Sequence, residues 1–289
     1  MHGDGRKIIQ MDLITKGYVM LKDKKLFLFD IDGTIAIGDT LYEGSRELLE
    51  YIESIGGKVY YITNNSTKSN EDYVKKFKKC FGLETTENQF ITSGFMTKYF
   101  LKDNYCDKKI FVVGTDSYVE DLRSSGLQVT TEVEADIALV VVAYDSELNY
   151  EKLTKVSQVL FEKDVPFYAT NPDLRCPIDF GFIPDCGAIC NMITATTDKT
   201  PIYLGKPNKK VVEMCLADSG FLKEETIVVG DRLYTDIACG IQAGVDTCVV
   251  FTGEAQKEDM LDTPYKATYE FDDIKSFLDA ILGENRRIV

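Results

Sequence analysis

Several short, uninterrupted apolar runs, separated by segments with helical periodicity, constrain what this chain can fold into. Runs of this kind are typical of parallel strands that are covered on both faces. The predicted strands are Leu26–Phe29, Val59–Ile62, Ile227–Val229 and Thr247–Phe251. Between the first two, an apolar stripe from Leu48 to Ile55 repeats with helical spacing and stops at Gly56. This alternation predicts an α/β fold with a doubly wound parallel sheet.

The middle of the chain repeats the alternation and is too long to be a loop. Its predicted strands are Ile110–Val113, Ile137–Ala143 and Val165–Ala169, and its predicted helices cover residues 116–124, 150–162 and 187–196. We therefore predict a second α/β domain at residues 87–198, inserted into a core formed by residues 20–86 and 199–289. Residues 1–20 are expected to form an irregular extension, to which no function is assigned.

Charge and composition exclude several classes of partner. The sequence of 289 residues has 33 basic and 47 acidic side chains, which gives a formal charge of −14. A chain this acidic gains little from binding nucleic acid or anionic lipid, so neither is an expected partner. No apolar run approaches the length of a transmembrane helix, and the N-terminus lacks a signal-peptide pattern. A cytoplasmic location is therefore expected.

Two residue types exclude whole mechanisms. The one histidine, His2, lies in the N-terminal extension, which removes Ser-His-Asp and Cys-His catalysis and most catalytic zinc sites. The eight cysteines are scattered without a CxxC pair, and most are expected to be buried thiols in a reducing compartment. Carboxylates, hydroxyls, lysine and a hard cation remain as candidates.

Polar residues directly follow the predicted strands, at the edge where an open parallel sheet binds its ligands. These residues are Asp30, Asp32, Thr63, Asn64, Lys206, Asp231 and Asp236. Oxygen ligands without histidine suit Mg²⁺, and such an ion would offset the repulsion between the carboxylates. The carboxylates and the ion, together with Lys206 and neutral hydrogen-bond donors, predict a site that binds a phosphoryl group.

Each of these clusters is a weak signal alone, because an aspartate at a strand end is usually a turn residue or a helix N-cap. Their joint occurrence, each behind an apolar strand and in this order, is the stronger signal. No GxGxxG motif follows a strand and no GxxxxGK[ST] motif occurs, which argues against dinucleotide and P-loop nucleotide binding.

The motifs together resemble the haloacid dehalogenase superfamily of aspartate-nucleophile phosphatases. The matching segments are DIDGT at 30–34, Thr63 at the end of YYIT, Lys206 in LGKP, and GDRLYTD at 230–236. The large insert between the second and third motifs is similar to the subfamily with a big α/β cap. That subfamily includes p-nitrophenylphosphatase-like, pyridoxal phosphatase-like and sugar phosphatase-like members. The segment GDTLYEG at 38–44 departs from many members, which bears on specificity rather than on the chemistry.

The resemblance implies Mg²⁺-dependent hydrolysis of a small-molecule phosphomonoester through an aspartyl-phosphate. Asp30 is then the nucleophile, and Asp32 protonates the leaving alcohol and later deprotonates the attacking water. The implied metal ligands are Asp30, the backbone carbonyl of Asp32, Asp231 and Asp236. The implied phosphate-binding residues are Thr63, Asn64 and Lys206.

The inserted cap is expected to select the substrate, and the resemblance also allows a homodimer formed through it. Candidate substrate-binding residues are Asn171, Asp173, Arg175 and Asp185. The segment Asn171–Asp173 is equally well explained as a rigid turn, and Arg175 as an ordinary surface arginine.

Three alternative functions are weighed on the sequence. A phosphotransferase or mutase would return the phosphoryl group to a substrate hydroxyl, and the sequence does not show whether the cap admits water. A non-catalytic phosphate- or metal-binding regulator would be expected to have lost part of the set Asp30, Asp32, Lys206 and Asp231, and all four are present. A receiver-type signalling domain is disfavoured by the insert and by the second aspartate of the DIDGT motif.

Overall fold

The computed structural model describes residues 21–66, 69–178 and 180–285. The expectation for residues 1–20 lies outside this part of the chain. The strands are β1 (Leu26–Phe29), β2 (Ala36–Ile37), β3 (Thr40–Leu41), β4 (Lys58–Thr63), β5 (Phe90–Thr92), β6 (Lys109–Val113), β7 (Gln128–Thr130), β8 (Ile137–Val142), β9 (Phe167–Ala169), β10 (Arg175–Ile178), β11 (Gly181–Pro184), β12 (Ile202–Tyr203), β13 (Thr226–Gly230), β14 (Asp246–Val250) and β15 (Tyr269–Phe271).

The α-helices between these strands are α1 (Ser45–Ser54), α2 (Asn70–Lys76), α3 (Ser93–Tyr105), α4 (Asp116–Ser124), α5 (Tyr150–Glu162), α6 (Cys186–Thr197), α7 (Lys210–Ser219), α8 (Ala238–Ala243), α9 (Asp259–Asp262) and α10 (Ile274–Asn285). Two π-helical segments cover Phe77–Phe81 and Leu233–Ile237, and two 3₁₀ segments cover Glu87–Gln89 and Lys223–Glu225. No helix within the described ranges is long and apolar enough to cross a membrane.

The chain divides into two compact units. The first unit contains the described residues up to Ile62, Lys76–Thr85, and the residues from Lys209 onward. The second unit contains Thr63–Lys75 and Thr86–Asn208. It therefore includes residues that the sequence assigned to the core, namely Thr63–Lys75, Thr86 and residues 199–208. The function of the second unit as a substrate-selecting cap stays a prediction.

The first unit is built on a parallel sheet. Its strands are hydrogen-bonded in the order β15–β14–β13–β1–β4, and Phe29 of β1 lies opposite Val229 on one side and Tyr61 on the other. β1 and β13 are buried along their whole length, as expected for strands covered on both faces. All four strands that were predicted from apolar runs in this unit are present, with ends displaced by at most one residue.

The second unit has its own parallel sheet, in the order β12–β9–β8–β6–β7. Val140 and Val142 of β8 lie in a core formed with α5 and α6. The intervening Val141 lies in a second core formed with α3 and α4. Because successive side chains of a strand point to opposite faces, helices cover both faces of this sheet. The predicted α/β class with parallel, doubly wound sheets is confirmed.

The predicted ends of helices and strands in the second unit agree closely with the structure, with one exception at Pro166. The helices predicted at 116–124 and 150–162 coincide with α4 and α5, and α6 is one residue longer at each end than the predicted 187–196. The strand predicted at Val165–Ala169 is too long, because β9 begins only at Phe167. Pro166 has no N–H to add to the ladder, which explains the shorter strand.

Short strands without an apolar run were missed. They include the antiparallel hairpins β2–β3 and β10–β11 and the edge strand β15. The expectation for the cysteines is confirmed for the buried thiols Cys186, Cys190, Cys215, Cys239 and Cys248, and all eight are free.

Candidate active site

Three buried carboxylates meet beyond the carboxyl ends of β1 and β13. Asp30 follows β1, and its backbone N–H continues the ladder by donating to the carbonyl of Val229 at 2.9 Å. Asp231 follows β13, and Asp236 lies in the π-helical segment after it. One carboxylate oxygen from each of the three aspartates lies within 4.8 Å of the other two. The structure thus gathers three of the four predicted metal ligands by their side chains.

Main-chain N–H groups and a hydroxyl hold the two later aspartates in place. The N–H of Glu254 donates to Asp231 Oδ2 at 2.8 Å, and the Thr34 hydroxyl donates to Asp231 Oδ1 at 3.3 Å. The N–H of Arg232 donates to Asp236 Oδ2 at 3.1 Å. These donors stabilise the ionised carboxylates and fix their direction.

Two glycines allow the backbone to approach these carboxylates. A Cβ atom at Gly253 would lie 2.0 Å from Asp231 Oδ2, and one at Gly230 would lie 2.2 Å from the Cβ of Asp236. Neither position has room for a larger side chain. The glycine of the GDRLYTD segment is therefore required by packing around Asp236.

The cluster is electrostatically unfavourable by itself. Burial, and to a smaller extent the nearby Asp30 and Asp236 carboxylates, raise the pKa of the Asp231 carboxyl to about 8. The guanidinium of Arg232 opposes this rise in pKa, but Arg232 also pairs with Glu254, with Nε 2.8 Å from Oε2. A positive charge among the three carboxylates would remove this penalty.

Asp32 lies in the same unit but has a different environment. Its side chain is about one-third exposed, at 33%, and its Oδ1 lies 3.9 Å from Nζ of Lys76. Gly33, with a φ of 93°, turns the chain back toward β2. Burial, Asp231 and Asp32 together raise the pKa of Tyr42, whose hydroxyl donates to the carbonyl of Thr252. Asp32 is thus partly open to solvent, unlike the three clustered aspartates.

The predicted phosphate-binding residues lie in the second unit. Thr63 is buried, and its hydroxyl oxygen accepts a hydrogen bond from the N–H of Asn65 at 3.1 Å. The side chain of Asn64 is hydrogen-bonded to the main chain of Lys206, which is also buried. The structure therefore brings Asn64 and Lys206 together, although 142 positions separate them in the chain.

The predicted substrate-binding residues also lie in the second unit, and three of them are buried. The amide oxygen of Asn171 accepts a hydrogen bond from the N–H of Asp173 at 3.0 Å, the pattern of an Asx turn. Asp185 is the N-cap of α6, where its carboxylate accepts the N–H of Cys186. Arg175 is exposed, and its guanidinium lies over the Phe182 ring at 4.6 Å. These contacts support the turn alternative for Asn171–Asp173.

Some neighbours of the cluster were not singled out from the sequence. Lys76, which lies beside Asp32, is one of four lysines in the stretch KKFKK. Its position around the helix axis, rather than its residue type, brings it close to Asp32. Tyr42 lies in the GDTLYEG segment that departs from the family pattern, which was the available signal for it. The roles of all site residues in catalysis or binding stay predictions.

Comparison with known proteins gives the family. Residues 27–128 match the model described as haloacid dehalogenase-like hydrolase, and residues 203–277 match a HAD-hydrolase-like model. An acid sugar phosphatase of Staphylococcus haemolyticus is 31% identical over 88% of this chain and 95% of its own length.

Solved structures agree with this match. A 4-nitrophenylphosphatase from Thermotoga maritima is 33% identical, with a TM-score of 0.83 over 91% of this chain and 99% of its own. A glycerol phosphate phosphatase from Mycobacterium tuberculosis, solved in complex with magnesium, shares the fold at 23% identity, with a TM-score of 0.80 over 89% of this chain and 78% of its own. The resemblance stated from the motifs is confirmed, and the chain belongs to the haloacid dehalogenase-like hydrolase family.

Proposed function

We propose that the protein is a Mg²⁺-dependent phosphatase that hydrolyses a small phosphomonoester through an aspartyl-phosphate on Asp30. The phosphatase class predicted from the sequence is confirmed by relatives that are named phosphatases and match nearly the whole chain. The observation that carries the rest of the proposal is the cluster of Asp30, Asp231 and Asp236 beyond the strand ends. The metal, the intermediate and the individual roles are the proposal.

The residues of the cluster fit Mg²⁺. Its three side chains offer carboxylate oxygens only, and hard oxygen donors are the ligands that Mg²⁺ prefers. The raised pKa of Asp231 indicates that a bound cation would favour the ionised form of this carboxyl. Asp30, Asp231 and Asp236 would hold the ion, together with the backbone carbonyl of Asp32. When bound, the ion would neutralise charge on the phosphoryl group.

The chain's own carboxylates would perform the bond changes. A carboxylate oxygen of Asp30 attacks phosphorus, and the bond between phosphorus and the leaving oxygen breaks. Asp32 gives its proton to that leaving oxygen, so the product is a neutral alcohol. Asp32 then takes a proton from a water molecule that attacks the aspartyl-phosphate, which releases phosphate and restores Asp30. The partial exposure of the Asp32 side chain supports this exchange of protons.

The second unit would bind the substrate. Thr63 and Lys206 are proposed to hold phosphoryl oxygens, as the motif resemblance implies. Asp173, Arg175 and Asp185 are proposed to influence the choice of leaving group. Asn171 is buried with its amide bonded inside the unit, so we expect it to act on the shape of this region rather than by touching substrate.

Phosphate release from a panel of substrates tests the proposed activity. The panel contains sugar phosphates, glycerol phosphate, nucleoside monophosphates and p-nitrophenyl phosphate. We expect phosphate release from at least one ester with Mg²⁺. Chelation should lower the rate by about a hundredfold or more, and added Mg²⁺ should restore it.

Ca²⁺ should not restore the rate, since its looser coordination lets a carboxylate bind through both oxygens and ties up the nucleophile. Undiminished activity after exhaustive chelation would remove the metal from the mechanism, and transfer to an added alcohol without phosphate release would identify a phosphotransferase.

The substitution Asp32→Asn tests the proposed acid. For an alkyl phosphate the loss of kcat should be on the order of a hundredfold to ten-thousandfold, the usual contribution of a general acid. For p-nitrophenyl phosphate the loss should be much smaller, because its leaving group needs no proton. The exposed Asp23 in the same unit provides the control, and Asp23→Asn should leave both rates unchanged. An equal loss for alkyl and aryl esters would contradict the role of Asp32.

The raised pKa of Asp231 predicts how the stability of the metal-free protein depends on pH. Its folded pKa of about 8 lies above the usual value of 3.8, so between these values the folded state binds a proton that the unfolded state has lost. The free energy of unfolding should therefore fall as pH rises through this window, by on the order of a few kcal/mol. In chelator, the drop in Tm from pH 5 to pH 8 should be smaller for Asp231→Asn than for wild type or Asp23→Asn. An equal drop in all three proteins would show that Asp231 is already ionised.

A further inference from the structure

We propose that Asn64 is a positioning residue for Lys206, holding the main chain of that lysine through a two-point contact rather than binding phosphate itself. The proposal rests on the proposed function, since it takes Lys206 as the residue that holds a phosphoryl oxygen. Asn64 would then support a phosphate-binding residue, instead of being one itself as the sequence had predicted.

The carboxamide of Asn64 contacts both polar main-chain groups of Lys206. Its Nδ2 donates to the carbonyl of Lys206 at 3.0 Å, and its Oδ1 accepts the N–H of Lys206 at 2.9 Å. A carboxamide paired with a residue in this way fixes the direction of that residue's backbone as well as its position. Asn64 and Lys206 are both buried, so no solvent competes for these bonds.

The main chain of Asn64 is itself held by two other segments. Its carbonyl accepts a hydrogen bond from the hydroxyl of Ser93 at 2.7 Å and another from Nδ2 of Asn171 at 2.9 Å. Ser93 is the first residue of α3, and Asn171 follows β9. Asn64 therefore joins the segments after β4, β9 and β12 to the start of α3.

Gly205 shows how closely the Lys206 segment approaches Asn64. A Cβ atom at Gly205 would lie 2.7 Å from Asn64 Oδ1 and 2.6 Å from the carbonyl oxygen of Thr170. Only glycine fits between these atoms without a shift of the backbone. The glycine of the LGKP segment is thus explained by the close approach of Thr170 and Asn64.

The arrangement has a consequence for catalysis. Because one N–H and the oxygen of the Asn64 carboxamide both contact the main chain of Lys206, we expect the effect of Asn64 on the reaction to pass through Lys206. Loss of the contact would let the lysine move, and a displacement near 1 Å can reduce a rate by about a hundredfold. Since Lys206 would serve the phosphoryl group common to all substrates, the loss should be independent of the leaving group.

Hydrogen exchange tests the contact without any assay of activity. In Asn64→Ala the backbone amide of Lys206 should exchange about tenfold faster or more, since its acceptor is removed. The matched control is Asn70→Ala, which removes a carboxamide that donates to the carbonyls of Glu87 and Phe90 in the same unit. The control should leave exchange at Lys206 unchanged. Unchanged exchange at Lys206 in Asn64→Ala would overturn the proposal, whether or not the protein proves to be a phosphatase.

A double-mutant cycle tests the functional part, with wild-type hydrolysis established first. We expect Asn64→Ala to lower kcat/KM by about ten- to a hundredfold, equally for aryl and alkyl phosphates, and Asn70→Ala to have little effect. In the Lys206→Ala background, the further loss from Asn64→Ala should be less than about threefold. Losses that multiply, or that differ between leaving groups, would show that Asn64 contacts substrate directly and would overturn the proposal.

Asn64→Asp keeps the test decisive if the alanine variant fails to fold. It retains the acceptor for the Lys206 N–H and the shape of the side chain, and it replaces the donor to the Lys206 carbonyl with a negatively charged carboxylate oxygen. It should show the same loss for all leaving groups and the same dependence on Lys206. Wild-type rates in a folded Asn64→Asp protein would contradict the two-point contact.

Discussion

Repulsion among three buried carboxylates is the constraint on which the rest of the site depends. Asp30, Asp231 and Asp236 offer oxygens within 4.8 Å of one another, and burial together with the other two carboxylates raises the pKa of Asp231. A fold that only had to be stable would not gather such groups. The proposed function accounts for this cost, because a bound cation would offset the charge of the three carboxylates.

The parallel sheet makes this gathering possible. β1 and β13 are neighbours in the first unit, so the residues that follow them leave the same edge. Gly230 and Gly253 let the backbone approach the carboxylates, and main-chain N–H groups direct their oxygens. In the second unit the side-chain amide of Asn64 joins two residues that follow strands of different sheets, Asn64 after β4 and Lys206 after β12. In the first unit, strand order brings distant motifs into one place.

Much of this arrangement was predictable, for a physical reason. Strands covered on both faces must be apolar throughout, so their ends, and the polar residues at those ends, stand out in the sequence. Lys76 did not stand out, because the turn of a helix and not its composition selects it among adjacent lysines. The hairpin β10–β11 was missed because it has no apolar run of its own. The two-point contact of Asn64 was also hidden, since its partner lies 142 positions away in the chain.

The central claim is that Asp30 itself becomes phosphorylated. The most direct measurement quenches Asp32→Asn during turnover of p-nitrophenyl phosphate, where breakdown of the intermediate should be slow, and maps phosphate on the digested protein by mass spectrometry. The account predicts phosphate on the peptide that carries Asp30, and none when Asp30→Asn is added. Turnover without phosphate on that peptide, or phosphate on another residue, would contradict it.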